Sequence, residues 1–103
     1  MENNNSFKLE FDAKVENVSF ARGVVSMFAA ELKPTLSEIN DLKTAVSEAV
    51  TNSVVHGYDG KDGRIILEMK IKDNKIDIFV TDFGTRKRPF YHLRKDGVPQ
   101  GYD

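Results

Sequence analysis

The sequence predicts an α+β fold: a two-layer sandwich with helices packed on one face of a mostly antiparallel sheet. Three observations carry this. Residues 64–72 and 75–81 alternate apolar and polar on either side of Asp73-Asn74, which is the pattern of a half-buried hairpin. Residues 17–32 and 35–56 repeat their apolar side chains at helical spacing. A short alternating run at 7–11 precedes both helices, so the order is strand, helix, helix, strand, strand.

Each element has a local reason. Phe7, Leu9 and Phe11 share one face of a strand because successive side chains point to opposite sides. In the first helix, Phe20, Val24, Met27, Phe28 and Leu32 form the expected buried stripe. Lys33-Pro34 ends it, since the residue before proline is pushed out of helical geometry. Thr35 and Glu38 then match a capping box, in which each side chain satisfies the other's free backbone N–H. Ile39, Leu42, Val46, Val50 and Val54 form the inner stripe of the second helix, and Gly57 is its natural stop. Residues 58–63 read as a turn-rich loop. In the hairpin, Ile65, Leu67, Met69 and Ile71 face the same way as Ile76, Ile78 and Val80.

At 103 residues the chain is one domain. Its 40% apolar and 30% charged residues fit a globular protein rather than a disordered one. A formal net charge of -1 gives bulk electrostatics no reason to attract nucleic acid or a membrane. With no cysteine, disulfide and thiolate chemistry are excluded. No run approaches the roughly 18 apolar residues of a membrane span, and the N-terminus lacks the pattern of a secretory signal. The expected compartment is the cytoplasm.

The charge is uneven. Residues 1–84 hold ten Lys/Arg against fourteen Asp/Glu, whereas residues 85–103 hold five against two. No lasting helical or strand period follows Gly84. Residues 85–103 are therefore read as a separate basic tail, disordered or loosely packed, after a domain spanning 1–84. The cluster Thr85-Arg-Lys-Arg-Pro89 with Phe90 and Tyr91 invites a nucleic-acid reading. So small an excess of positive charge makes a poor footprint for it.

The second helix carries Glu48, Asn52 and His56 four residues apart. At about 100° per residue they spread over only about 80°, one stripe on one wall. Ala45 and Ala49 lie beside that stripe and leave room for close approach. A carboxylate can act as a base if held near a transferable proton. An asparagine carbonyl is a hard oxygen donor that suits Mg²⁺. Taken alone, the spacing fits a solvated helix face better, with His56 serving only the helix C-terminus.

The run Ser47-Glu-Ala-Val-Thr-Asn-Ser-Val-Val-His-Gly-Tyr58 resembles the N box of the GHKL ATPase and kinase superfamily. More narrowly it is similar to the bacterial anti-sigma factor serine kinases, nearest to members that act in sporulation. Residues 17–22, Pro34-Thr35 and Asp82-Phe-Gly84 agree in order and spacing, so the resemblance covers about 7–84. It implies a GHKL (Bergerat) ATP-binding fold and a bound ATP or ADP with Mg²⁺. Glu48 would orient or deprotonate the attacking hydroxyl, and Asn52 would ligate Mg²⁺. Asp82 would accept a hydrogen bond from the adenine amino group, and Gly84 would let the backbone pass close to the base. Arg22 would contact protein partners, although by itself it reads as a solvated helix charge. The implied partners are a sigma factor and an anti-anti-sigma factor phosphorylated on serine. A homodimer would form through strand 7–11. Asp82-Phe-Gly84 also spells the metal motif of eukaryotic-type protein kinases, but their glycine-rich loop and catalytic-loop motif are absent.

The resemblance breaks after Gly84. Arg86 stands where a second glycine is expected, and no later Gly-x-Gly follows to cradle phosphates. A lid and the final strands are also missing from the expected pattern. A frame shift or altered gene end near Gly84 is the expected origin of the abrupt change of composition. The alternatives to a kinase are a truncated, inactive binding module or a pseudogene product.

Overall fold

The computed structural model describes residues 4–57, 62–82 and 86–95. Four strands form one sheet: β1 (Asn5–Asp12), β2 (Arg64–Lys72), β3 (Lys75–Asp82) and β4 (Arg86–Arg94). They lie in the order β1-β2-β3-β4, each antiparallel to its neighbour. Two helices, α1 (Asn17–Ala29) and α2 (Leu36–Asn52), cover one face. This is the expected α+β sandwich. No helix among the described residues is long and apolar enough to cross a membrane.

The hairpin forms as its alternation dictates. Ile65, Leu67, Met69 and Ile71 of β2 and Ile76, Ile78 and Val80 of β3 are all buried. Asp73 and Asn74 both take positive φ, 53° and 62°, and Lys72 pairs with Lys75 across them. Two consecutive left-handed residues give a turn whose twist matches that of the strands. The α2 cap is also as expected: Thr35 N–H donates to Glu38 Oε1 at 2.8 Å, and Glu38 N–H donates to Thr35 Oγ1 at 3.1 Å. Leu42, Val46, Val50 and Val54 point into the core, with Ile39 packed at its edge.

The first helix departs from expectation. Its buried stripe is Ala21, Val25 and Ala29, continued by Leu32 in the following 3₁₀ turn. Phe20 and Met27 are 50% and 74% exposed. Small side chains face inward because they let α1 lie close to its neighbours, and the bulky row is turned toward the edge of β1. There Phe28 packs edge-on against Phe7, with ring centroids 4.7 Å apart, and Phe20 approaches Phe11 at 6.4 Å. The helix stops as expected: Lys33, before Pro34, takes the left-handed conformation at φ 49°.

The reading of the segment after Gly84 as an unstructured tail is corrected for residues 86–95. Residues Arg86–Arg94 form β4, paired with β3 along its whole length. A bulge between Ile78 and Phe79 leaves Phe90 as the extra residue. Inward side chains therefore fall at Arg88, Tyr91 and Leu93, opposite Val80, Ile78 and Ile76. Leu93 is buried, and burial pushes the half-buried Tyr91 hydroxyl up to about 12, helped by the nearby carboxylates of Asp41 and Glu38. At the strand's end, Lys95 N–H bonds back to Asn74 O at 2.7 Å.

Candidate functional site

The site gathers where the C-terminal end of α2 meets the end of β3. Alternation along β3 carries Asp82 to the inner face after Ile76, Ile78 and Val80, and it is 4% exposed. A carboxylate withdrawn from water this far needs charged or hydrogen-bonding partners. Arg88 of β4 supplies them: its two terminal nitrogens donate to Asp82 Oδ1 and Oδ2 at 3.1 and 3.0 Å. This two-pronged, charge-assisted contact is the strongest geometry open to such a pair. Arg88 holds the Asp82 carboxyl below its ordinary range, against the upward push of burial.

A second contributor comes from α2. Past Asn52 the helix widens into a π-helical turn, Ser53–Gly57, a local irregularity found often at functional sites. This turn carries Ser53 inward, 1% exposed, and keeps Val54 in the core. The Ser53 hydroxyl lies close enough to Asp82 to lower its carboxyl a little further, yet forms no hydrogen bond of good geometry.

Asn52 and Glu48 lie one turn apart on the exposed side of α2, flanked by the half-buried Ala45 and Ala49. His56 is also exposed, within the π turn. Arg22 is exposed on α1; its carbonyl accepts from Ser26 Oγ at 2.7 Å, and the neighbouring Gly23 faces open space. Gly84 lies outside the described residues. The structure therefore places Asn52 and Asp82 at the same end of α2, with Glu48 one turn away and Arg22 on a different helix. Among the described residues no three His, Cys, Asp or Glu side chains are grouped to hold a metal ion. The exposed Asn52 amide oxygen fits one ligand of an Mg²⁺ whose other ligands are phosphate and water. The base end fits less well, because Arg88 already spans both Asp82 oxygens. Arg88 is the residue that sequence reasoning missed; only its place in a basic cluster drew notice.

Residues 11–101 match the model of the histidine kinase-like ATPase domain. The chain is 56% identical over 84 residues to an Anti-sigma F factor of Caldanaerobacter subterraneus subsp. tengcongensis, covering 82% of this chain and 59% of that protein. It is 55% identical over 84 residues to one from a Thermoanaerobacter species, with the same coverage. It is 51% identical over 80 residues to one from Clostridium kluyveri, covering 78% and 56%. The chain thus spans less than three-fifths of the length of these relatives. Because that domain model matches residues 11–101, most of the sequence, this chain belongs to the histidine kinase-like ATPase domain family.

Proposed function

We propose that this chain derives from an anti-sigma factor of the sporulation type, a cytoplasmic protein that binds a sigma factor and phosphorylates a serine of an anti-anti-sigma factor. The observation that carries the reading is the placement of Asn52 and Glu48 on the open side of α2, with Asp82 at its end. Relatives named Anti-sigma F factor, at 49–56% identity, support the regulatory role. Asn52 would hold the Mg²⁺ of a bound nucleotide, Asp82 would accept a hydrogen bond from the adenine amino group, and Gly84 is the position expected to let the backbone pass close to the base. Glu48 receives the serine proton as the serine oxygen bonds to the γ-phosphorus and the bond to ADP breaks. Positioning and electrostatics do most of the work in such transfers. Arg22 contacts the protein partners.

The same reading includes a homodimer through residues 7–11. Among the described residues the outer edge of β1 is unpaired, and Phe7, Leu9, Val24, Met27 and Phe28, with Lys8, line an open, mostly apolar groove of about 480 Å³ beside it. An exposed apolar patch next to a free strand edge favours pairing with another chain.

A second reading, a binding module without ATP chemistry, draws support from the Arg88 contact that occupies Asp82. Calorimetric titration of Mg²⁺-ATP into the chain, with Asn52→Ala as control, separates the two. The kinase reading expects saturable binding that the substitution weakens at least tenfold. A folded chain that shows no heat of binding and no rise in melting temperature with Mg²⁺-ATP would leave only the binding module.

A further inference from the structure

We infer that Arg88 is a latch on the nucleotide site: its guanidinium holds the Asp82 carboxylate that would otherwise receive the base of a bound adenine nucleotide. The inference rests on the reading of Asp82 as the adenine acceptor. Both carboxylate oxygens are engaged, at 3.1 and 3.0 Å. An adenine amino group offers one neutral donor nitrogen, whereas Arg88 offers two charged ones, one to each carboxylate oxygen. The base must displace the stronger partner, so the free protein is held in the closed arrangement.

The two sides of the contact differ in a way that permits opening. The Asp82 side chain is 6% exposed and the Arg88 side chain 47%. Arg88 can swing into water at little desolvation cost, while Asp82 stays where it is. β4 need not detach when this happens. It remains fastened by Leu93 in the core, by Lys95 Nζ on Glu38 Oε1 at 2.6 Å, and by His92 Nδ1 at 2.6 Å from Asp77 Oδ1. The latch is therefore a rotamer change on a fixed strand. A site that is competent only when open binds with an apparent affinity reduced by the open fraction.

The test is calorimetric titration of Mg²⁺-ATP into five forms of the chain: the parent, the single variants Arg88→Ala and Arg88→Lys, Asp82→Asn as control, and the double variant Arg88→Ala/Asp82→Asn. Circular dichroism checks that each is folded. The latch predicts that Arg88→Ala binds about tenfold or more tightly than the parent, as expected for an open fraction of about a tenth. Arg88→Lys, which keeps the charge but cannot span both oxygens, should fall between them. It keeps the test decisive if the alanine variant proves unstable. The double variant should lose the gain. Equal affinities in the parent and both Arg88 single variants would overturn the latch; if Asp82→Asn alone still weakened binding, the adenine reading would survive. A gain that persists in the double variant would overturn both, as would the absence of binding in every folded form.

Discussion

Lys95 Nζ lies 2.6 Å from Glu38 Oε1, so the end of β4 is tied to the first turn of α2. The same Glu38 oxygen accepts the Thr35 backbone N–H at 2.8 Å. One carboxylate thus closes the helix cap and anchors the last strand. Its pKa is lowered, first by the Lys95 hydrogen bond and then by the Thr35 backbone.

Acid stability should follow from this and from Asp82. Both carboxyls have folded-state pKa values below their unfolded ones. Their stabilisation is therefore complete above the unfolded values, about pH 4 to 4.5, and is lost as pH falls through the folded values. Urea midpoints should stay level from pH 7 to about pH 5 and drop below about pH 4. In a Glu38→Gln/Asp82→Asn variant the curve should be flatter. An equally steep acid drop in that variant would remove these two groups as its cause.

Thr35→Ala removes the acceptor for the Glu38 N–H and should cost about 1 kcal/mol in a denaturant titration. A loss near zero would mean that the Lys95 contact alone holds the helix end.

The turn between β2 and β3 offers a stabilising change. Asn74 sits at φ 62°, a region that glycine enters without steric cost. Asn74→Gly should raise stability by about 0.5 kcal/mol, read as a higher melting temperature with the fold unchanged.

Two apolar substitutions should separate core from surface. Leu42 is 2% exposed, so Leu42→Ala should cost about 2–5 kcal/mol through lost burial and the cavity left behind. Met27 is 74% exposed, so Met27→Lys should change stability by less than about 0.5 kcal/mol. If the β1 edge dimerises, the same lysine should shift the protein toward monomer in sedimentation.

The assignments of Glu48 and Arg22 have different signatures. In a form of the protein that phosphorylates its antagonist, Glu48→Gln should remove transfer by about a hundredfold or more and leave partner binding intact. Arg22→Ala should weaken binding to sigma factor or antagonist by about tenfold, a loss of about 1.4 kcal/mol. Full transfer in the first, or unchanged affinities in the second, would remove that residue from its role.

Most of the sheet was legible because β2 and β3 keep a strict period of two, which also turns Asp82 inward. The second helix was legible because its cap and its inner stripe agree. The first helix misled because residue size was weighed above position: Ala21 and Ala29 give little hydrophobic signal, yet they are the side chains that fit against a close neighbour. β4 was missed for a different reason. The bulge at Phe90 puts two residues between Arg88 and Tyr91 where alternation has one, so the inward positions break the pattern that marks a strand. An arginine at the first of them hides the pattern further, and it faces inward only because Asp82 is there to meet it. The π turn at Ser53 likewise has no compositional mark, so nothing in the sequence placed that hydroxyl beside Asp82.

The order of the strands also sets how the chain assembles. β2, β3 and β4 are successive antiparallel neighbours, joined by short connections and able to pair locally. β1 is the exception: Asn5 meets Ile71 and Asp12 meets Arg64 only after both helices have been laid between them. Closing that long loop costs entropy that the local pairings do not. The strand that borders the apolar groove is therefore expected to join last and to leave first, so any surface built on it exists only once the rest of the sheet is already in place.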